Sequence, residues 1–315
     1  MTGPFKREGF PKARALKASR SLPLLLLCLL SAFALVRAQQ DEDEVVRVES
    51  ELVVLNVTVK DTEGRFARKL QRSDFRVLED KKEQKISLFS VEETPFAAAI
   101  LLDTSGSMES RITLARAAAI RFLDGLRAED VASVYHFDSK VEQLQDYSPG
   151  RDLPDMAYGL RSKGMTALND AVLRAADDLA KRPEKRRAII VLSDGFDTMS
   201  GASRDKALNA ALAASATVYT VDMMDPRANA SDKMRAAGAL KFFAEKSGGR
   251  YVPTPGGKAL AEAFEGILEE LSNQYTIGYR PNSPARDGRW REIELQLARP
   301  GLTARTRDGY RAPKR

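Results

Sequence analysis

The run Asp103-Thr104-Ser105-Gly106-Ser107 sets one carboxylate and two hydroxyls at alternate positions, with Gly106 letting the chain turn tightly between them. Two further oxygen donors stand in comparable surroundings: Thr166 in Gly164-Met165-Thr166-Ala167-Leu168, and Asp194 in Ser193-Asp194-Gly195. Hard oxygen groups of this kind suit Mg²⁺, which takes one or two carboxylates and keeps water-filled positions; Mn²⁺ and Ca²⁺ are compatible with the same donors. Taken singly, Asp103 reads as an ordinary strand end or helix N-cap, and each serine as an ordinary turn residue. Taken together they point to a divalent cation. With so few charged ligands the cation stays electron-poor, so a carboxylate arriving from outside is favoured.

The elements around these residues place them where ligands gather. Phe96 to Leu102 is a continuous apolar run ending at Asp103, as a strand buried on both faces reads. Arg187 to Ser193 is a second such run, ending at Asp194. Strands are also expected at 131–137, with 141–147 as a hairpin partner, at 217–222 and at 250–252. Helices are expected at 111–126, 168–180, 206–214, 234–246 and 258–271. Alternation of this kind calls for a parallel sheet covered by helices, with ligands beyond the carboxyl ends of the strands. The flanks have β character. Val53, Leu55, Val57 and Val59 alternate with polar neighbours, and further strands are expected at 74–78, 85–91, 274–279, 290–297 and 302–307, with Glu79 to Glu83 as a polar turn. The carboxyl-terminal stretch is too short to bury a core alone, so it is expected to pair with the amino-terminal one.

The five donors resemble the metal-ion-dependent adhesion site of von Willebrand factor type A domains: Asp-x-Ser-x-Ser, a Thr before a later helix, and the Asp of Ser-Asp-Gly. The likeness covers about residues 96–272. It implies a Rossmann-like, doubly wound, mostly parallel α/β sheet with a cation at its carboxyl end. Asp103, Ser105, Ser107, Thr166 and Asp194 would be the ligands, and an Asp or Glu of a protein partner would complete the coordination sphere. Phrases in the flanks, 73–80, 279–281, 290–293 and 307–310, resemble bacterial secreted proteins related to that family and support architecture alone. The expected organisation is a signal peptide at 1–38, an acidic lead-in at 39–44, the first segment of a β-sandwich at 45–95, the α/β domain at 96–272, and the second segment of the β-sandwich at 273–315.

The amino terminus carries Lys6, Arg7, Lys12, Arg14, Lys17 and Arg20 before the apolar stretch Leu22 to Val36, and Val36-Arg37-Ala38 has the small residues of a cleavage site. This is the layout of a secretory signal peptide, its core shorter than the roughly 20 residues of a spanning helix. Export to the periplasm, cell envelope or medium is therefore expected, with a membrane in play only if the segment is retained as an anchor. Residues 1–38 hold seven of the 50 Lys/Arg and one of the 44 Asp/Glu, so 43 of each remain beyond them. No basic surplus is left to argue for nucleic acid. The single cysteine, Cys28, lies inside the apolar core, so the remainder has neither disulfide nor thiol nucleophile.

Enzyme motifs are absent. One histidine, His136, rules out a His-Glu-x-x-His zinc site; no Gly-x-Ser-x-Gly elbow surrounds Ser105 or Ser107; and Gly256-Gly257-Lys258-Ala259 lacks the Ser/Thr of a P-loop. His136 reads as a packed or edge strand residue. Asp197 and Asp225 read as loop carboxylates or caps, the sequons at Asn56 and Asn229 as chance matches, and the basic run 181–187 as a solvated helix end. Three functions are compatible with these features. The first is an exported adhesion-type binding module. The second is an envelope protein whose metal only stabilises loops. A metal-dependent hydrolase is third, and no base poised near neutrality is visible for it.

Overall fold

A computed structural model describes residues 52–91, 94–150, 164–253, 257–282 and 286–314. The expected signal peptide and acidic lead-in lie outside them. The chain enters through β1 (Val53–Asp61), β2 (Phe75–Glu79), β3 (Lys82–Gln84) and β4 (Ile86–Ser90). It then alternates: β5 (Phe96–Asp103), α1 (Ile112–Asp124), β6 (Val131–Phe137), β7 (Val141–Ser148), α2 (Leu168–Ala180), β8 (Arg186–Ser193), α3 (Arg204–Ala213), β9 (Ala216–Asp222), α4 (Ala230–Ser247), β10 (Tyr251–Pro253) and α5 (Lys258–Ser272). It closes with β11 (Tyr275–Tyr279), β12 (Trp290–Leu297), β13 (Leu302–Arg305) and β14 (Gly309–Arg311).

The central sheet has the order β10-β9-β8-β5-β6-β7, with every neighbouring pair parallel except the β6–β7 hairpin. β5 lies in the middle, and its period of two splits the core into two layers. Phe96, Ala98, Ile100 and Leu102 pack with α1 and α5, while Ala97, Ala99 and Leu101 pack with α2, α3 and α4. Both faces are covered, which explains why β5 and β8 read as unbroken apolar runs. Helix α2 shows the matching three-four spacing, burying Leu168, Ala171, Val172, Ala175, Ala176 and Leu179. The chain leaves β5 towards β6 on one side and returns to β8 on the other. The strand order therefore reverses between β5 and β8, and the crevice beyond their carboxyl ends is where such a sheet offers a ligand site.

The flanks form two antiparallel four-stranded sheets, β13-β1-β11-β4 and β14-β12-β2-β3. Strands from the two ends of the chain alternate within them: β1 pairs with β11 and β13, and β2 with β12. Their shared core gathers Leu55, Val57, Val77, Tyr275, Ile277 and Tyr279. The span 79–83, expected as a turn alone, also holds β3. Asp80 and Lys81 both have positive φ, as a two-residue hairpin turn demands, and Glu79 pairs with Lys82.

Two polar alternates of β1, Asn56 and Thr58, do not face water. The Asn56 amide donates to Ser215 O (3.1 Å) and Thr217 Oγ1 (3.3 Å), and Thr58 Oγ1 donates to Glu270 Oε1 (3.3 Å). Glu270, on α5, is fully buried. It also accepts from Tyr219 OH (2.8 Å) and from Arg305 Nη2, and Arg250 Nε lies 3.8 Å from Oε2. Arg307 is buried nearby and donates to Leu212 O (2.5 Å) and Val54 O (2.9 Å).

The basic run 181–187 is solvated at Lys181 and Lys185, as expected, but departs from that character at its last two residues. Arg186 is fully buried and donates to Thr94 O (2.6 Å), and Arg187 holds Ala214 O (2.9 Å). Both belong to β8, so they cap the sheet's amino-terminal edge rather than fray into water. No helix among the described residues is long and apolar enough to cross a membrane.

Candidate metal centre

Asp103 ends β5 and Asp194 follows the last residue of β8, so the two neighbouring strands deliver two carboxylates to one crevice. Asp103 is fully buried and Asp194 nearly so. The Asp103 carboxylate accepts Ser105 N–H at Oδ1 (2.8 Å) and Ser193 Oγ–H at Oδ2 (2.5 Å). Ser193 Oγ in turn accepts Gly195 N–H (3.0 Å). Gly195 has φ +82°, and a Cβ there would stand 2.5 Å from Ala236 O, so this turn is open to glycine alone.

The hydroxyls line the same crevice. Ser105 Oγ and Ser107 Oγ are 3.1 Å apart, Ser105 is buried, and Ser107 is exposed and hydrogen-bonds Asp194. A short 3₁₀ turn, Gly106–Met108, holds them there, pinned by the buried Met108. Gly106 N donates to Gly164 O (3.3 Å), which draws the 164–166 loop against the Asp-x-Ser-x-Ser loop. Thr166 is buried in that loop. Its N–H donates to Thr198 Oγ1 (2.9 Å), and its carbonyl accepts Thr198 N (2.9 Å) and Met199 N (3.0 Å). Thus Asp103, Ser105, Ser107 and Asp194 form one cluster. Thr166 stands beside it through backbone contacts, with no hydrogen bond from its side chain to the other four among the described residues.

Electrostatically the cluster is under tension. Burial pushes the Asp103 carboxyl up to about 7, against the pull of Ser105 and Ser193, and the charge of Asp194 raises it further. Asp194 is also raised by burial, with Asp222 adding to the rise, while Ser107, the Phe196 N–H and Arg111 oppose it. The partners of Asp103 are hydroxyls and an amide, none of them cationic. Among the described residues no group of three or more His, Cys, Asp or Glu gathers. The donor set is therefore two carboxylates with hydroxyls, which fits a hard divalent cation and not a soft one.

One contributor, Arg111, escaped the sequence reading, while Asp197 and His136 take the cap and packed-strand roles expected of them. Arg111 donates to the carbonyls of Met223 and Met224 and lies 3.8 Å from Asp225, tying the loop after β5 to the loop after β9. Its signal was there: a basic residue opening a helix sits at the dipole's unfavourable end and needs another reason. Asp197 caps α2 from a different loop, accepting Asn169 N–H (2.8 Å), while Asp170 accepts Gly201 N–H (2.9 Å) and Ala202 N–H (2.8 Å) in return. His136 is packed in β6, with Nδ1 3.3 Å from Thr104 Oγ1 and Nε2 3.3 Å from Glu142. Asn229 caps α4 through Asp232 N–H (2.8 Å). Met165 and Met199 flank Thr166 in the chain and across the loop, and both are exposed.

The sheet and its crevice define an open, doubly wound α/β domain. Within it, residues 98–196 match the model of the von Willebrand factor type A domain, a span that holds all five donors. No curated protein sequence matches the chain. Among solved structures, the PilB minor pilin from Streptococcus sanguinis is 15% identical, with 57% of this chain and 61% of that one covered and a TM-score of 0.44. The vWF domain of the type V pili tip protein Mfa5 from Porphyromonas gingivalis is 14% identical, with 56% and 94% covered and a TM-score of 0.46. A von Willebrand factor type A protein from Catenulispora acidiphila is 13% identical, with 78% and 76% covered and a TM-score of 0.47. The chain spans less than two thirds of the PilB pilin's length.

Proposed function

We propose that the protein is an exported, metal-dependent binding module that captures an acidic side chain of a protein partner, and not an enzyme. Asp103, Ser105, Ser107, Thr166 and Asp194 would hold a divalent cation, Mg²⁺ foremost, with Mn²⁺ or Ca²⁺ as alternatives. When bound, the cation supplies an electrophilic point that a partner's Asp or Glu carboxylate can complete. The observation that carries this reading is the buried Asp103–Asp194 pair, answered by hydroxyls and by no cationic hydrogen-bond donor at Asp103, with Ser107 open to solvent. The residues of this chain do the rest: Ser193 and the Ser105 N–H fix the Asp103 carboxylate, and Arg111 holds the β9 loop beside the crevice. The paired flanking sheets, read as a β-sandwich with the α/β domain inserted, would act as a stalk in the cell envelope.

A purely loop-stabilising cation is the weaker reading. The loops on either side are already joined through Thr166–Thr198, Asp197–Asn169 and Asp170–Gly201 without one. The test is capture of an envelope partner on the immobilised protein in Mg²⁺ and in chelator, with Asp103→Ala alongside. Retention that chelator and Asp103→Ala both abolish is expected, and an Asp→Asn or Glu→Gln change at the partner's contact should remove most of the affinity. Capture indifferent to chelator overturns the reading.

A further inference from the structure

We propose that a second site, sharing no residue with the metal crevice, binds a neutral oligosaccharide. It is an open groove of about 590 Å³ between α3 and α4 on one side and β12 and β14 on the other. That volume falls within the roughly 300–1,000 Å³ of small-ligand clefts and accommodates a short saccharide.

The platform is Trp290, the chain's only tryptophan, which remains 39% exposed in the groove while most other large aromatic residues are buried. Its indole rests on Gly309. A Cβ there would stand 2.7 Å from both Cε2 and Cζ2, so the glycine backs the ring and fixes it. Leu208, Phe242 and Ile293 extend the apolar surface beside it. A pyranose offers a C–H face that packs on such a ring and a girdle of hydroxyls that both donate and accept.

The rim is suited to that girdle. Asp205 and Asn209 lie four residues apart on α3, hence on one face, and their side chains have no hydrogen-bond partner among the described residues. An amide both donates and accepts, and a carboxylate accepts two hydroxyls at once. Glu292 adds a third polar group.

Other ligand classes fit less well. The rim carries Asp205, Glu292 and Asp308 against Lys246 and Arg311; Lys246 is paired with Asp308 (3.0 Å), Glu292 lies 3.7 Å from Lys81, and Arg204 sits over the Phe242 ring, so these charges largely offset one another and leave no strong field for a charged ligand. A wholly apolar ligand would strip water from the carboxylates at a cost.

The lone tryptophan makes the test direct. The full-length protein is titrated with cellotriose, maltotriose and chitotriose while Trp290 emission is followed, with chelator present so that the result does not depend on the metal reading. At least one trisaccharide should give a saturable change with a Kd of about 1 mM or tighter. Asn209→Ala, which keeps the fluorophore, should weaken it about fivefold. Trp290→Phe, followed by calorimetry, should weaken it further, while melting at the wild-type temperature shows that the fold is intact. The proposal is overturned if none of the three sugars gives a saturable change at about ten times that concentration, or if Asn209→Ala leaves the Kd unchanged.

Discussion

Two of the places where the described residues bury carboxylates are answered differently. At the junction between α5 and the flanking sheets, Glu270 meets Arg305, Arg250, Tyr219 and Thr58. At the carboxyl end of the central sheet, Asp103 and Asp194 meet serines and backbone amides, with Arg111 acting on Asp194 from a distance. Burial of a charge is tolerated when a counter-charge and hydrogen bonds accompany it. Glu270 carries its counter-charges within the chain. The crevice pair carries hydroxyls, which ease the burden but do not neutralise it, and Asp103 is pushed up to about 7 as a result. The first arrangement is a structural bolt. The second is the arrangement proposed above as a cation site, its missing charge to be supplied from outside.

Removing the bolt should have the largest effect. Glu270→Ala leaves two arginines facing each other at the junction, and breaking a buried pair costs about 3–5 kcal/mol. Arg305 and Arg250 keep 36% and 34% of their side chains exposed, which places the loss near the low end, about 3 kcal/mol. Thermal unfolding should fall by roughly 6–12 °C, equally in Mg²⁺ and in chelator. A metal-dependent loss would erase the distinction between the two regions.

Asp197→Ala should cost about 1 kcal/mol, the ordinary value of a lost helix cap, because Asn169 N–H loses its acceptor. Chemical denaturation would show this as a shifted midpoint with an unchanged slope. A much larger loss would mean that the crevice loops depend on that carboxylate more than their other cross-links suggest. The smallest effect is expected at Asp103→Asn in chelator. The amide can keep Ser105 N–H on its oxygen and donate to Ser193 Oγ, and it removes one charge beside Asp194. Stability should stay within about 1 kcal/mol of wild type or rise slightly. A drop comparable to Glu270→Ala would show that the Asp103 charge is structural after all.

The crevice was legible because its chemistry is local. Asp103, Ser105 and Ser107 lie within five residues, and the apolar runs that precede Asp103 and Asp194 announce strands buried on both faces. Element type followed from periodicity for the same reason, as in α2 and the β6–β7 hairpin. The junction was not legible. Asn56 reaches Ser215 across 159 positions and Thr58 reaches Glu270 across 212, and no window of sequence carries such a pairing. Their alternation with valines reads as a strand with one wet face, whereas both faces are dry. Arg186 and Arg187 were misread for a related reason. A basic run suggests solvent, and only the strand pairing of β8 shows that these side chains reach carbonyls of neighbouring segments.

Thermal unfolding in Mg²⁺ and in chelator, wild type beside Asp103→Asn, shows whether the crevice holds a cation. At a cation concentration ten times its dissociation constant, linkage supplies about 1.4 kcal/mol, a rise of roughly 3–6 °C for a protein of this size. Wild type should show that rise and the variant none. Equal melting temperatures in Mg²⁺ and chelator for wild type, or an equal rise in both proteins, would contradict a cation held by Asp103.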